Sequence, residues 1–176
     1  MYSKIKLKKH NQQAFTLVEV MVAMVIFSVG LLGLAGLQSL GMTNNQTAFN
    51  RTMAMQQAYN MSDRMRDNIA GVNAFNYDAL NTSIPALGTN CILATCTPAA
   101  LTIFDHFEWN TNNATLLPEG RGSVTLIARD PTGAQFRICV MWNELKVAGA
   151  AEPDCANPGV YNPTTEYKFY TLTVDI

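Results

Sequence analysis

The first feature of the chain is a long apolar run near its N-terminus. Between Phe15 and Leu37 almost every residue is apolar, and Glu19 is the one charged residue. The run extends to Gln38, about 23 residues, which as a helix rising 1.5 Å per residue measures roughly 35 Å. Because a bilayer core is about 30 Å thick and the apolar region of a secretory signal only about 7–15 residues, the pattern predicts a membrane anchor.

Beyond Leu40 the chain becomes polar but stays free of proline until Pro85. Apolar residues recur there at helical spacing, as in an amphipathic helix; they are Ala48, Ala58, Met61, Met65 and Ile69. The pattern predicts that the helix continues out of the membrane to about Asn68, where Gly71 is a stop signal.

Two later segments alternate and are rich in strand-forming residues, Ser123–Ala128 and Gln135–Trp142. The residues between them at 130–133, Asp-Pro-Thr-Gly, have turn composition, so we expect an antiparallel hairpin. A third strand is predicted at Tyr167–Val174. The predicted fold class is α+β, with one long N-terminal helix packed on a small antiparallel sheet.

Residues 71–120 show no clear period, and we expect an irregular connection there. Asp105, His106 and Glu108 are three potential metal ligands in this segment, but on an extended strand Asp105 and His106 would point to opposite faces. The chain also has no Gly-rich phosphate loop, no HExxH motif and no nucleophile beside a plausible base. We therefore expect no enzyme activity, no catalytic residues, no cofactor and no metal.

Charge is unevenly distributed along the chain. Four lysines precede the apolar run with no acidic residue among them: Lys4, Lys6, Lys8 and Lys9. This asymmetry predicts an N-terminus in the cytoplasm and a head outside it. Removing the four lysines from the chain's 12 basic residues leaves eight against 13 acidic ones, a net charge near −5. An acidic head is poorly suited to phosphate backbones, so no direct nucleic-acid partner is expected.

Four cysteines follow the apolar run, at Cys91, Cys96, Cys139 and Cys155. An even number on the side that would be translocated predicts two disulfides in an oxidising compartment. Of the three connectivities, Cys91–Cys96 with Cys139–Cys155 is favoured because each bridge closes a short local loop; free buried thiols are the alternative. Zinc is disfavoured, since neither spacing is CxxC and no histidine follows at ligand distance.

The position of Glu19 needs a physical reason. A carboxylate at the centre of a membrane helix costs on the order of 3 kcal/mol, and less near an end. If the chain were cut just before Phe15, the new α-ammonium and the helix N-terminal dipole would neutralise Glu19. In a packed filament, the ammonium of one subunit would instead meet Glu19 of a neighbour and set the axial stagger.

The residues around this position carry a family resemblance. The sequence from Ala14 to Met21, Ala-Phe-Thr-Leu-Val-Glu-Val-Met, resembles the class III leader junction of type IV pilins and type II secretion pseudopilins. The resemblance implies that a prepilin peptidase cuts between Ala14 and Phe15, that Phe15 is N-methylated and that Glu19 is the assembly glutamate. Ala14 departs from the glycine that the family usually has before the cut.

The continuation at 30–38, Gly-Leu-Leu-Gly-Leu-Ala-Gly-Leu-Gln, is similar to minor pilins of the PilV type. With the periodicity above, it implies a cleaved leader at 1–14, a transmembrane and assembly helix at 15–40, its amphipathic continuation at 41–70 and a head at 71–176. The implied function is that of a minor pilin, a structural and priming subunit in type IV pilus assembly that supports adhesion and twitching motility.

The resemblance also implies partners and a location. The partners are other major and minor pilin subunits, a prepilin peptidase and the inner-membrane assembly platform. The protein would cross the inner membrane once, with its head in the periplasm, and then enter the pilus fibre. A minor pseudopilin of a type II secretion system is the alternative, and a membrane-tethered sensor or ligand-binding module is a remote one.

Overall fold

The computed structural model describes residues 16–144, Cys155 and residues 167–176. The elements of this part, in chain order, are α1 (Leu17–Asp67), α2 (Ile69–Asn73), β1 (Ala79–Leu80), α3 (Pro98–Leu116), β2 (Arg121–Asp130), β3 (Gly133–Trp142) and β4 (Lys168–Asp175). The chain divides into two compact units, residues 1–45 and 46–176. A long helix and an antiparallel sheet confirm the predicted α+β class.

In the first unit, the N-terminal part of α1 has no buried side chain. Every residue from Thr16 to Asn45 is exposed, and most of them up to Leu40 are apolar. This stretch is long and apolar enough to cross a membrane, although the test rests on length and composition alone. The helix agrees with the predicted apolar segment.

In the second unit, the C-terminal part of α1 is amphipathic. Its buried residues recur every three or four positions, and they are Asn50, Ala54, Ala58, Met61, Ser62 and Met65. The apolar ones among them, Ala54, Ala58, Met61 and Met65, pack in one core with Trp109 of α3 and with Phe136 and Ile138 of β3, all fully buried. Burying each large apolar side chain contributes about 1.5–3 kcal/mol, so the core fixes this part of α1 on the sheet.

The end of α1 at Asp67 is close to the predicted end, but Gly71 is not the stop signal. Gly71 lies inside α2, where its N–H donates to Asn68 Oδ1 at 3.1 Å. The helical path ends instead at Phe75, whose φ of 63° is left-handed. Phe75 N–H donates to Val72 O and Asn76 N–H donates to Gly71 O, the two bonds of a Schellman motif.

The four strands are hydrogen-bonded in the order β1-β2-β3-β4, and all pairs are antiparallel. Asp130 faces Gly133, so β2 and β3 are joined by a two-residue turn, which confirms the predicted hairpin. Asp130 Oδ1 accepts from Thr132 N at 2.7 Å and thereby fixes the turn. β4 matches the third predicted strand within one residue, whereas β1 was not predicted.

The prediction of an irregular connection over residues 71–120 is wrong, because this segment contains the 19-residue helix α3. Thr97 caps it by accepting from Ala100 N at 3.2 Å, and Pro98 occupies its first turn. Asp105 and His106 are therefore helical rather than extended. Most of the buried face of α3 is polar, which hides the hydrophobic period; its residues are Thr102, Phe104, Asp105, His106, Trp109, Asn110 and Asn113.

The side chain of Asn110 joins α3 to the outer edge of β2. Its Oδ1 accepts from Gly122 N at 2.7 Å, and its Nδ2 donates to Gly122 O at 3.1 Å and to Ser83 O at 3.2 Å. A Cβ at Gly122 would overlap the ring of Trp109, so only glycine allows the strand to approach the helix this closely. The side-chain amide of Asn110 therefore makes the hydrogen bonds to Gly122 that a neighbouring strand would otherwise make.

The structure joins Cys91 to Cys96 and Cys139 to Cys155, the two local pairs favoured by the sequence. Cys91–Cys96 closes the loop before α3. Cys139 belongs to β3, and this bridge is buried with Met141 and Tyr167 in a small apolar cluster. The first bridge thus closes a loop on itself, and the second ties Cys155 to β3.

Candidate assembly site

Thr16 caps the N-terminus of α1. Its Oγ1 accepts from Glu19 N at 3.3 Å, and its carbonyl oxygen accepts from Glu19 N at 3.1 Å and from Val20 N at 3.3 Å. A threonine followed three residues later by glutamate is the spacing of a capping box. This spacing places Glu19 in the first helical turn, where the partial positive charge of the helix terminus favours a carboxylate.

The surroundings of Glu19 on the helix are apolar and open. Val20, Ala23, Met24 and Phe27 lie beside it, and the three large ones among them are exposed. Within the described residues, no hydrogen bond or ion pair to the Glu19 carboxylate is found. The arrangement is a single acid at one end of a long apolar surface, with its carboxylate directed to no described partner.

Two of the predicted site residues, Ala14 and Phe15, lie outside the described residues. Cleavage between them and methylation of Phe15 therefore stay predictions. Glu19 is the member of the predicted site that the structure places, in the first turn of α1. The predicted cysteines all lie in the second unit.

The sequence did not predict a buried polar cluster in the second unit, which links α1 to α3. Arg64 Nη1 donates to Asp105 Oδ1 at 3.0 Å and to Glu108 Oε2 at 3.1 Å. Tyr77 donates its hydroxyl proton to Asp105 Oδ2 at 2.6 Å. Asn68 Nδ2 lies 3.1 Å from the Tyr77 oxygen and connects the cluster to the start of α2. These contacts position α3 against the end of α1.

Burial governs the ionisation of this cluster. Burial raises the pKa of Asp105, and hydrogen bonds from Tyr77 and Arg64 oppose that rise. Burial, together with the hydrogen bond to Asp105, also raises the pKa of Tyr77, so Tyr77 is a neutral donor. Desolvation lowers the pKa of His106, whose Nε2 lies 2.9 Å from Asn81 O. Asp105, Tyr77 and His106 thus each have a hydrogen-bond partner, and their role is structural.

The three potential metal ligands of the sequence thus have other partners. Asp105 and Glu108 bind Arg64, and His106 bonds to a backbone carbonyl. Across residues 16–144, Cys155 and 167–176, no group of three or more His, Cys, Asp or Glu side chains is placed to hold a metal ion. In the sequence, Thr97 followed by Pro98 is a helix-start signal that would have predicted α3, the helix that carries these three residues.

Comparison with known proteins identifies the N-terminal segment. Residues 9–35 match the family model of the prokaryotic N-terminal methylation motif. This motif indicates a type IV pilin or pseudopilin. The match covers Ala14, Phe15, the cap at Thr16 and Glu19, and it supports a type IV pilin-like class III leader. No curated protein and no solved structure matches the chain.

The motif also bears on partners and location. A pilin leader implies processing by a prepilin peptidase and assembly with other pilins. Together with the exposed apolar part of α1, it supports membrane anchoring and pilus assembly. The matched motif, the apolar part of α1 and Glu19 therefore lie in one continuous segment of the chain.

Proposed function

We propose that this chain is a minor pilin of a type IV pilus, a structural and priming subunit that supports adhesion and twitching motility. One observation carries the proposal: the methylation motif continues into a capped helix that has Glu19 in its first turn and an apolar surface that no described side chain covers. Leu32, for example, is 74% exposed. Such a helix requires lipid before assembly and neighbouring helices afterwards.

Maturation would create a positively charged partner for Glu19. Cleavage between Ala14 and Phe15 removes the lysines and leaves an α-ammonium two residues before the helix starts at Leu17. Phe15 is then N-methylated and keeps its positive charge. The lysines hold the N-terminus in the cytoplasm, so the chain crosses the inner membrane once with its head in the periplasm.

In the fibre, the ammonium of one subunit would pair with Glu19 of its neighbour. The attraction between unit charges is several times stronger near an apolar surface than in water. An unpaired Glu19 inside a bundle of helices costs on the order of 3 kcal/mol, so a wrong axial stagger is penalised. Glu19 would thereby set the register of assembly on the platform in the inner membrane.

The pilus is favoured over the type II secretion system by residues 30–38, which resemble minor pilins of the PilV type. Pseudopilins share the leader and Glu19, so deletion phenotypes separate the two systems. Loss of fibres and twitching supports the pilin. Loss of type II secretion with normal fibres would contradict it and support a minor pseudopilin.

The first test is the mass of the mature protein. We expect a chain that begins at Phe15 and carries one methyl group, measured by mass spectrometry of protein from membranes and sheared fibres. Ala14→Phe should keep its leader because a bulky residue does not fit the peptidase subsite, whereas Ala14→Gly should be cut. A functional protein that still begins with its lysines would refute the proposal.

The second test is Glu19→Ala, with Glu19→Gln as the neutral variant of the same shape. Both should insert in the membrane and fold, but their amount in sheared fibres should fall at least about tenfold, as expected for losing an interaction worth more than 1.4 kcal/mol. Immunoblots of membrane and fibre fractions measure the ratio. Normal incorporation of Glu19→Gln would show that charge pairing is not the mechanism.

A further inference from the structure

A second surface lies in the head and has no role in the proposal above. From Ala79 to Phe104 the sequence contains no Asp, Glu, Lys, Arg or His. The segment nevertheless exposes several large aliphatic side chains, Ile84, Leu87, Ile92, Leu93 and Ile103. We call residues 79–104 the uncharged segment. Its surface carries no charge and includes these aliphatic side chains, although the head as a whole is acidic.

Ile92 and Leu93 form the tip of this segment. Leu93 is 83% exposed, the most of any large hydrophobic side chain in the described chain, and Ile92 is 74% exposed, as much as Leu32 in the apolar part of α1. A single exposed leucine is ordinary on a protein surface. Two adjacent aliphatic side chains at the tip of one closed loop form a contact surface that is costly to leave in water.

The loop that carries them is fixed by its own bonds. The Cys91–Cys96 disulfide closes it. Asn90 Oδ1 accepts from Ile92 N at 3.0 Å, and Asn90 O accepts from Leu93 N at 3.1 Å. The Thr97 cap of α3 follows directly. The two side chains are therefore held outward before any partner arrives, and such preorganisation reduces the entropy lost on binding.

The apolar area extends along α3. A Cβ at Gly88 would lie 3.8 Å from Ile103 Cγ2, so the backbone next to Leu87 runs beside this helix. Leu87 and Ile103 are each 47% exposed and lie at this contact. The uncharged segment thus presents aliphatic side chains from both the loop and the helix.

The charge of the head indicates what binds there. Residues 46–176 exclude the four N-terminal lysines and Glu19, which leaves eight basic and twelve acidic residues, a net charge of −4. Two acidic heads repel each other, and like charges brought face to face are costly. The uncharged segment is where another such head approaches at the lowest electrostatic cost, and it offers no charge to recognise a nucleic acid or an anionic lipid.

We infer that Ile92 and Leu93, with the uncharged segment around them, bind the head of a neighbouring subunit in the same fibre. This inference rests on the proposed function. Each aliphatic side chain that a partner covers removes apolar area from water, and a rigid loop loses little entropy on binding.

The test places a photo-reactive residue in the full-length protein in cells. Leu93→p-benzoylphenylalanine should form an adduct with another pilin subunit in sheared fibres, identified by mass spectrometry. Thr173→p-benzoylphenylalanine, at an exposed position of β4, is the matched control. We expect at least about tenfold more adduct at position 93, the ratio that corresponds to about 1.4 kcal/mol. Adducts with lipid alone, or equal yields at both positions, would overturn the inference.

The second arm measures assembly. Ile92→Ser combined with Leu93→Ser should lower the amount in fibres about tenfold while the head keeps its unfolding transition. Ile127→Ser, a loss of an exposed aliphatic side chain in β2, should leave the amount unchanged. If the unaltered protein is absent from fibres, the proposed function fails and this inference with it. If the unaltered protein and the double variant enter fibres equally, this inference alone is wrong.

Discussion

The two parts of α1 have the same backbone conformation but different surroundings. Up to Asn45 every side chain is exposed, whereas from Asn50 onward one face is buried against the sheet and α3. The second part is stabilised by the packing of its own domain, as most helices in proteins are. Among the described residues, no side chain in the first part is buried in this way. One part of α1 is therefore stabilised by contacts within its own domain, and the other part is suited to contacts with other molecules.

The largest test of this comparison uses one methionine from each part. Met61 is fully buried in the head, and Met24 is 69% exposed. Met61→Ala should reduce the free energy of unfolding of the head by about 2–5 kcal/mol because it leaves a cavity, whereas Met24→Ala should leave it unchanged. Chemical denaturation of the mature protein in detergent measures both. An equal loss would mean that α1 unfolds as one cooperative unit with the head.

A pair of glycines sharpens the comparison. Gly122→Ala places a methyl group against Trp109 and should destabilise the head by about 1–3 kcal/mol. A Cβ at Gly33 would meet no described atom within 4 Å beyond its own stretch of helix, so Gly33→Ala should not change the unfolding of the head. Thermal unfolding measures the loss of stability caused by Gly122→Ala. The amount of Gly33→Ala in sheared fibres measures the effect of that variant on assembly. A lower fibre yield for Gly33→Ala would show that a neighbouring helix packs at this glycine.

The smallest effect concerns two arginines near the end of α1. Arg64 binds the buried carboxylate of Asp105, whereas Arg66 forms a 3.6 Å ion pair with the exposed Asp63. Arg64→Met should cost about 1–3 kcal/mol because Asp105 loses a charged donor while it stays buried. Arg66→Met should cost less than about 0.5 kcal/mol. Urea denaturation measures both, and similar losses would contradict the structural role given to Arg64.

The elements that the sequence predicted are those whose hydrophobic period is clear. The apolar run and the recurring apolar residues predicted α1, and alternation around a Pro-Thr turn predicted β2 and β3. Glu19 stood out because a charge in an apolar run is costly. In these cases the signal lies within a few neighbouring residues of the chain.

The parts that could not be predicted depend on distant residues. The buried face of α3 consists largely of polar side chains such as Asp105 and Asn110. A prediction based on hydrophobic periodicity therefore assigns this segment to a loop. Their burial is possible because partners such as Arg64 lie 41 residues away in sequence. β1 has two residues and exists because β2 offers it an edge. Such features follow from the tertiary structure and leave little trace in local pattern.

The contact between Asn110 and Gly122 has a consequence for how the sheet meets other molecules. The outer side of β2 is occupied in turn by an amide side chain at Gly122, by β1 at Val124 and Thr125, and by the Asp78 carbonyl at Leu126. Between Gly122 and Leu126, these groups leave no ladder of free peptide groups for an incoming strand to copy. Strand addition from a misfolded neighbour is thereby blocked along this part of the edge.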